Sequence, residues 1–329
     1  MKKRLWLKIM IGVVIAAVIS VNIAPLWGLV LGGPSIGDRF TAMNFAPSEK
    51  ISDLVKKSGM NDNGRFWFFV AQPQINEREE FNINCADVMH QETVVLGCYN
   101  GQIFLFNVTD ERIRGIKAVT AAHEMLHVVY ERLGVIERGR VDNLLRQELA
   151  NTTDESILEL VELYDETEPG QKYNELHSIF GTQKRELSPE LEKYYGKFFG
   201  DRQKVVTANE KYEEIFNEIS RQADEMEAKL GTLGSEIESR KSSYEFRANQ
   251  LASDINWFNS CADTIGCFAS EYSFNIQRAG LVAEQNALSV ESDAINMLIE
   301  EYNQIINDLQ ALGREAEKLQ INLDSQSLL

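Results

Sequence analysis

Five consecutive residues, His123-Glu124-Met125-Leu126-His127, carry the chemistry most open to reading in this chain. On a helix the two imidazoles share one face, because residues four apart lie one turn above each other. Two neutral imidazole nitrogens so placed can bind one metal ion, and the intervening carboxylate of Glu124 can serve as general base toward a water. The chain has four histidines, and with so few the pattern arises by chance roughly a few times in a thousand. Ala121, Ala122, Met125, Leu126, Val128 and Val129 surround it with apolar or small side chains. Such a setting suits a helix sunk in a core with its polar face on a cleft.

A catalytic zinc takes three protein ligands, so His123 and His127 need a third. The segment Asn174-Glu175-Leu176-His177-Ser178 offers a carboxylate and an imidazole on a separate predicted helix. Residues two apart on a helix point in nearly opposite directions, so Glu175 and His177 are alternatives rather than partners. His90 is a fallback ligand. Tyr130 and Tyr173 are candidate phenolic donors to a developing oxyanion, although tyrosines beside a buried helix more often belong to the core.

Through His123, Glu124 and His127, and through Asn174, Glu175 and Ser178, the chain resembles the gluzincin metallopeptidases. Their second helix carries an Asn-Glu-x-x-Ser/Ala-Asp motif with the glutamate as third zinc ligand. The resemblance implies that Glu175 is the third ligand, with His177 the alternative, and that Glu124 is the general base of peptide hydrolysis. The chain departs from the pattern at Ile179, where those enzymes carry an aspartate that orients a ligand histidine. That departure leaves the partner of the ligand histidine unassigned.

The elements around these residues are read from periodicity and turn signals. A helix is expected over 50–58, strands over 65–71, 92–98 and 102–108, the last two forming a hairpin through Tyr99-Asn100-Gly101. The motif helix is expected over 110–133 with Gly134 as its stop, followed by helices over 138–149, 154–164 and 172–180. Strands followed by a metal helix is the zincin order, and the strand over 102–108 is expected to lie at the cleft edge beside an extended substrate.

Beyond this domain the apolar positions step by three and four. One series includes Tyr212, Phe216, Ile219, Ala223, Met226, Leu230, Leu233, Ile237, Tyr244, Leu251, Ile255 and Phe258. A second runs through Ala287, Val290, Ala294, Leu298, Tyr302, Ile305, Leu309, Leu312, Ala316, Leu319 and Leu323. An antiparallel coiled-coil hairpin is expected, with arms of roughly 50 residues projecting about 75 Å. A parallel homodimer through the same seams is the alternative.

At 329 residues and a net charge of −17, the chain lacks the basic stripe that nucleic-acid binding needs. Residues 204–329 hold 10 basic and 22 acidic side chains, so most of the negative charge belongs to the expected hairpin. Lys2, Lys3 and Arg4 precede a nearly uncharged run over 9–33, long enough to cross a bilayer of about 30 Å. An uncleaved single-pass anchor is expected in preference to a secretory signal, since Pro25 follows the nearest small-residue cleavage candidate. The N-terminus would then be cytoplasmic, with the bulk outside at a bacterial envelope or cell surface. Four cysteines in two local pairs, Cys85 with Cys98 and Cys261 with Cys267, predict two disulfides and an oxidising compartment.

The expected organisation is an N-terminal tip and anchor (1–33), an α+β zincin-like metallopeptidase domain (34–200) and a coiled-coil hairpin (201–329). The expected function is zinc-dependent hydrolysis of a protein or peptide substrate, with a protein partner or self-association served by the hairpin. The alternative is an envelope scaffold acting through the hairpin alone, against which stands the retention of Glu124, a residue that serves chemistry more than folding.

Overall fold

The computed structural model describes residues 32–86, 95–167 and 170–325. The described chain is mostly helical, with one small three-stranded sheet and a long C-terminal helical hairpin. It divides into two compact units. One comprises the residues up to Ile215 together with those from Leu319 onward, and the other is Phe216–Lys318.

The first unit opens with α1 (Ile36–Asn44), α2 (Glu49–Lys57) and α3 (Asp62–Val70). The start of α1 is fixed by a capping box. Asp38 N–H donates to Ser35 Oγ at 3.0 Å and Ser35 N–H to Asp38 Oδ2 at 2.8 Å, which satisfies two helix-end donors reciprocally. The strand expected over 65–71 is also a helix, α3. Asn61 Oδ1 accepts from the backbone of Asn63 and Gly64 at 2.9 and 3.0 Å, and the buried Trp67, Phe68, Val70 and Ala71 follow a spacing closer to a helical turn than to alternation. Its run of aromatic side chains conceals that period, because Phe66 and Phe69 are apolar too.

The sheet follows: β1 (Gln74–Asn76), then α4 (Arg78–Asn84), β2 (Gly97–Tyr99) and β3 (Ile103–Phe106). The strand order is β1-β3-β2, with β1 parallel and β2 antiparallel to β3. The expected hairpin is present as β2 and β3. The expected edge strand is corrected, however. β3 is central and wholly buried, paired on both sides, and β2 lies on the outer flank. β1, which the sequence reading did not foresee, takes the side of β3 that would otherwise have been open.

The motif helix, α5, spans Ile116–Glu131, shorter than expected because residues 111–115 form turns before it. It is buried along nearly its whole length and packs against α2, α3, β2, β3 and, most extensively, α8. α6 (Val135–Ala150), α7 (Glu155–Thr167), α8 (Lys172–Thr182) and α9 (Pro189–Tyr195) complete the layer. The close approach of α8 to α5 depends on Gly181. A Cβ there would lie 2.4 Å from Leu126 Cδ1 and 2.9 Å from Tyr195 Cε1, so any larger residue would push the two helices apart.

α10 (Gln203–Ala262) and α11 (Glu271–Leu323) are the two hairpin arms. Cross-arm pairs fix their antiparallel sense: Arg240 with Glu291 at 3.3 Å, Arg247 with Glu284 at 2.8 Å, and the rings of Phe258 and Phe274 at 5.0 Å. The first apolar series faces inward as expected. The second is displaced at its start: Leu288 and Ile295 are buried while Val290 is 70% exposed. The inward stripe passes through the polar positions 291 and 292, which an apolar pattern skips.

Both expected disulfides are present, Cys85 with Cys98 and Cys261 with Cys267. The expected single-pass localisation is not supported. Among the described residues no helix is long and apolar enough to cross a membrane, and residues 1–31 of the expected span, together with His90, lie outside the described residues.

Candidate metal centre

α5 and α8 carry the site. His123 and His127 sit one turn apart on α5, and Glu175 lies in the first turn of α8. Glu175 Oε2 is 3.5 Å from His123 Nε2 and Oε1 is 3.6 Å from His127 Nε2. One ligand atom from each of the three falls within 4.8 Å of the others. Two imidazoles facing a carboxylate at this spacing form a mixed nitrogen and oxygen donor set able to hold a metal ion. Burial pushes the Glu175 carboxyl toward a higher pKa, but the His127 and His123 imidazoles outweigh it and the net shift is downward. The carboxylate is therefore in its ligating form at neutral pH.

His127 is oriented from behind. Its Nδ1 lies 3.0 Å from Asn174 Oδ1 and 3.4 Å from Ser178 Oγ, while Asn174 Nδ2 donates to Gln171 Oε1 at 3.2 Å. With the amide oxygen turned to the ring, Nδ1 must carry the proton and the Nε2 lone pair faces the site. The place left open by Ile179, which is buried in the core, is thus filled by the residues that flank Glu175.

His177 is not brought to the centre. It points the other way from the same helix, fully buried, with Nε2 2.8 Å from Tyr194 Oη and its ring packed against those of Tyr130, Tyr194 and Tyr195. Burial, reinforced by the His127 and His123 imidazoles, pushes its pKa down to about 3, so it is a neutral core residue. The two expected phenolic donors are likewise engaged elsewhere. Tyr130 donates to Asp142 Oδ1 at 2.7 Å, and Tyr173 Oη accepts from Arg146 Nε at 3.1 Å.

Glu124 is buried between α5 and β2. A Cβ on Gly97 would stand 2.8 Å from Glu124 Oε1 and 2.5 Å from Thr120 Cγ2. Only glycine lets the strand pass this close to the carboxylate. The three candidate ligands, Glu124 and Gly97 open onto one cleft of about 510 Å³. Its wall also includes Tyr99 from β2 and Asn209, Tyr212 and Glu213 from the start of α10. Sequence reasoning missed these α10 residues. Tyr212 sits in register with the apolar series that continues down the arm, so its pattern carries no separate sign of a cleft.

No family model, curated protein or solved structure matches this chain, and the reading of the site rests on its own geometry.

Proposed function

We propose that this protein is a zinc-dependent metallopeptidase in which His123, His127 and Glu175 hold the ion. The observation that carries the reading is the convergence of these three side chains, from two helices, with Glu124 on the same cleft. Two imidazoles and one carboxylate are a donor set suited to zinc, and three protein ligands leave a coordination position for chemistry, whereas a structural site is closed by a fourth. Among the described residues no fourth ligand joins the group.

When bound, zinc would supply Lewis acidity to the carbonyl and the attacking water. The remaining work falls to the chain. Glu124 takes a proton from the attacking water as the C–O bond forms, then delivers it to the amine nitrogen as the C–N bond breaks, leaving a carboxylate and an amine. Asn174 and Ser178 hold the His127 ring in one orientation, and Gly97 sets the position of the base. A peptide is the substrate best matched to the cleft because β2 forms part of its wall. Among the described residues β2 pairs only with β3, so its other edge can pair with an extended backbone.

Hydrolysis of a fluorogenic peptide mixture by the zinc-loaded full chain, wild type and Glu124→Gln, tests the reading. Turnover by the wild type that falls at least a thousandfold in Glu124→Gln, with metal retained, is the expected result. No hydrolysis by metal-loaded wild type, or equal rates in both, would overturn it.

A further inference from the structure

The cleft wall is chemically one-sided. Four carboxylates line it, those of Glu124, Glu131, Glu175 and Glu213, and among the described lining residues there is no lysine or arginine. A divalent ion held by the His/His/Glu group offsets only half of that charge. Glu124 and Glu175 belong to the metal machinery, and Glu131 accepts from Tyr99 Oη at 2.9 Å and lies 3.6 Å from Arg132 Nη1. Glu213 is the carboxylate left without a task.

Resting on the peptidase reading, we propose that Glu213 is a specificity residue, binding the cationic side chain of a lysine or arginine close to the scissile bond. Glu213 stands on the cleft wall within reach of solvent, and the neutral amide of the buried Asn209 donates to its Oε1 at 2.7 Å. That bond aims the carboxylate without neutralising it. Desolvation raises its pKa despite the opposing Asn209 hydrogen bond, and the nearby Asp154 and Glu210 carboxylates raise it further. Glu210 already pairs with Arg185. A carboxylate in negative surroundings gains from an incoming cation, and a cleft of one sign concentrates ligands of the other.

The test reads binding rather than turnover, using the zinc-loaded full chain carrying Glu124→Gln and end-blocked fluorescent peptides. Lysine, norleucine or glutamate is placed at each position in turn. At one position lysine is expected to bind roughly tenfold more tightly than norleucine, the value of a charge-assisted hydrogen bond. Adding Glu213→Gln should abolish that preference, Glu213→Lys should turn it toward glutamate, and Glu213→Asp should keep it, which guards against a folding defect. Equal affinities at every position, or a lysine preference that survives Glu213→Gln, would overturn the proposal. Because affinity is read without hydrolysis, these results bear on Glu213 alone, while the turnover assay bears on the peptidase reading.

Discussion

Asn174 Oδ1 accepts a hydrogen bond from His127 Nδ1 at 3.0 Å, one residue before Glu175 on the same helix. α8 therefore supplies both the third candidate ligand and the group that orients the second. Partners of this kind, acting through a ligand rather than on the metal, are commonly worth 10- to 100-fold in metal affinity. Asn174→Ala should weaken zinc binding by roughly that factor, and Asn174→Asp, which keeps an acceptor, should restore most of it. Competition with a zinc chelator measures both.

On the proposed peptidase reading, Gly97 sets the place of Glu124, the base. Because a methyl group there would meet Glu124 Oε1 and Thr120 Cγ2, Gly97→Ala should displace the carboxylate while leaving His123, His127 and Glu175 in position. A misplacement of about 1 Å can cost about 100-fold in rate. Peptide hydrolysis should therefore fall by about that factor in kcat with zinc content unchanged. A variant that loses zinc, or one that keeps full activity, would contradict this role.

Glu148 ties α6 to the chain after α8. It is buried, with Oε1 2.7 Å from Lys184 Nζ and Oε2 accepting from Ser188 N–H at 3.0 Å. Burial raises its pKa, but the Lys184 and Ser188 hydrogen bonds outweigh that and the net shift is downward. A carboxyl whose folded pKa lies below its unfolded one contributes stability above the unfolded value and loses it as pH falls through the folded one. Glu148→Gln should cost about 2 kcal/mol near neutral pH. The gap between variant and wild type in urea denaturation should close on acidification below about pH 4.

How much of this was legible in the sequence differs by element. The motif helix, its neighbour carrying Glu175, both disulfides and the hairpin arms follow from local spacing, because a helical period or a close cysteine pair is set by residues near in sequence. The residues 65–71 were misread because four of the seven are aromatic, and a uniformly apolar stretch has no period to distinguish strand from helix. β1 is three residues long and owes its existence to pairing with β3, which no local pattern encodes. Glu175 was preferred to His177 through the resemblance alone, since local spacing does not say which face of α8 meets the metal-binding face of α5. Asn209 and Glu213 belong to the cleft only through tertiary folding, and in sequence they look like ordinary polar positions on a long acidic helix.

The most direct measurement is zinc stoichiometry of the full-length chain after loading and desalting, for wild type, Glu175→Ala and His177→Asn, with circular dichroism confirming that each is folded. About one ion per wild-type chain, lost in Glu175→Ala and kept in His177→Asn, is the predicted result. Metal-free wild type under zinc-replete conditions, or zinc kept in Glu175→Ala and lost in a folded His177→Asn, would contradict the assignment of the centre.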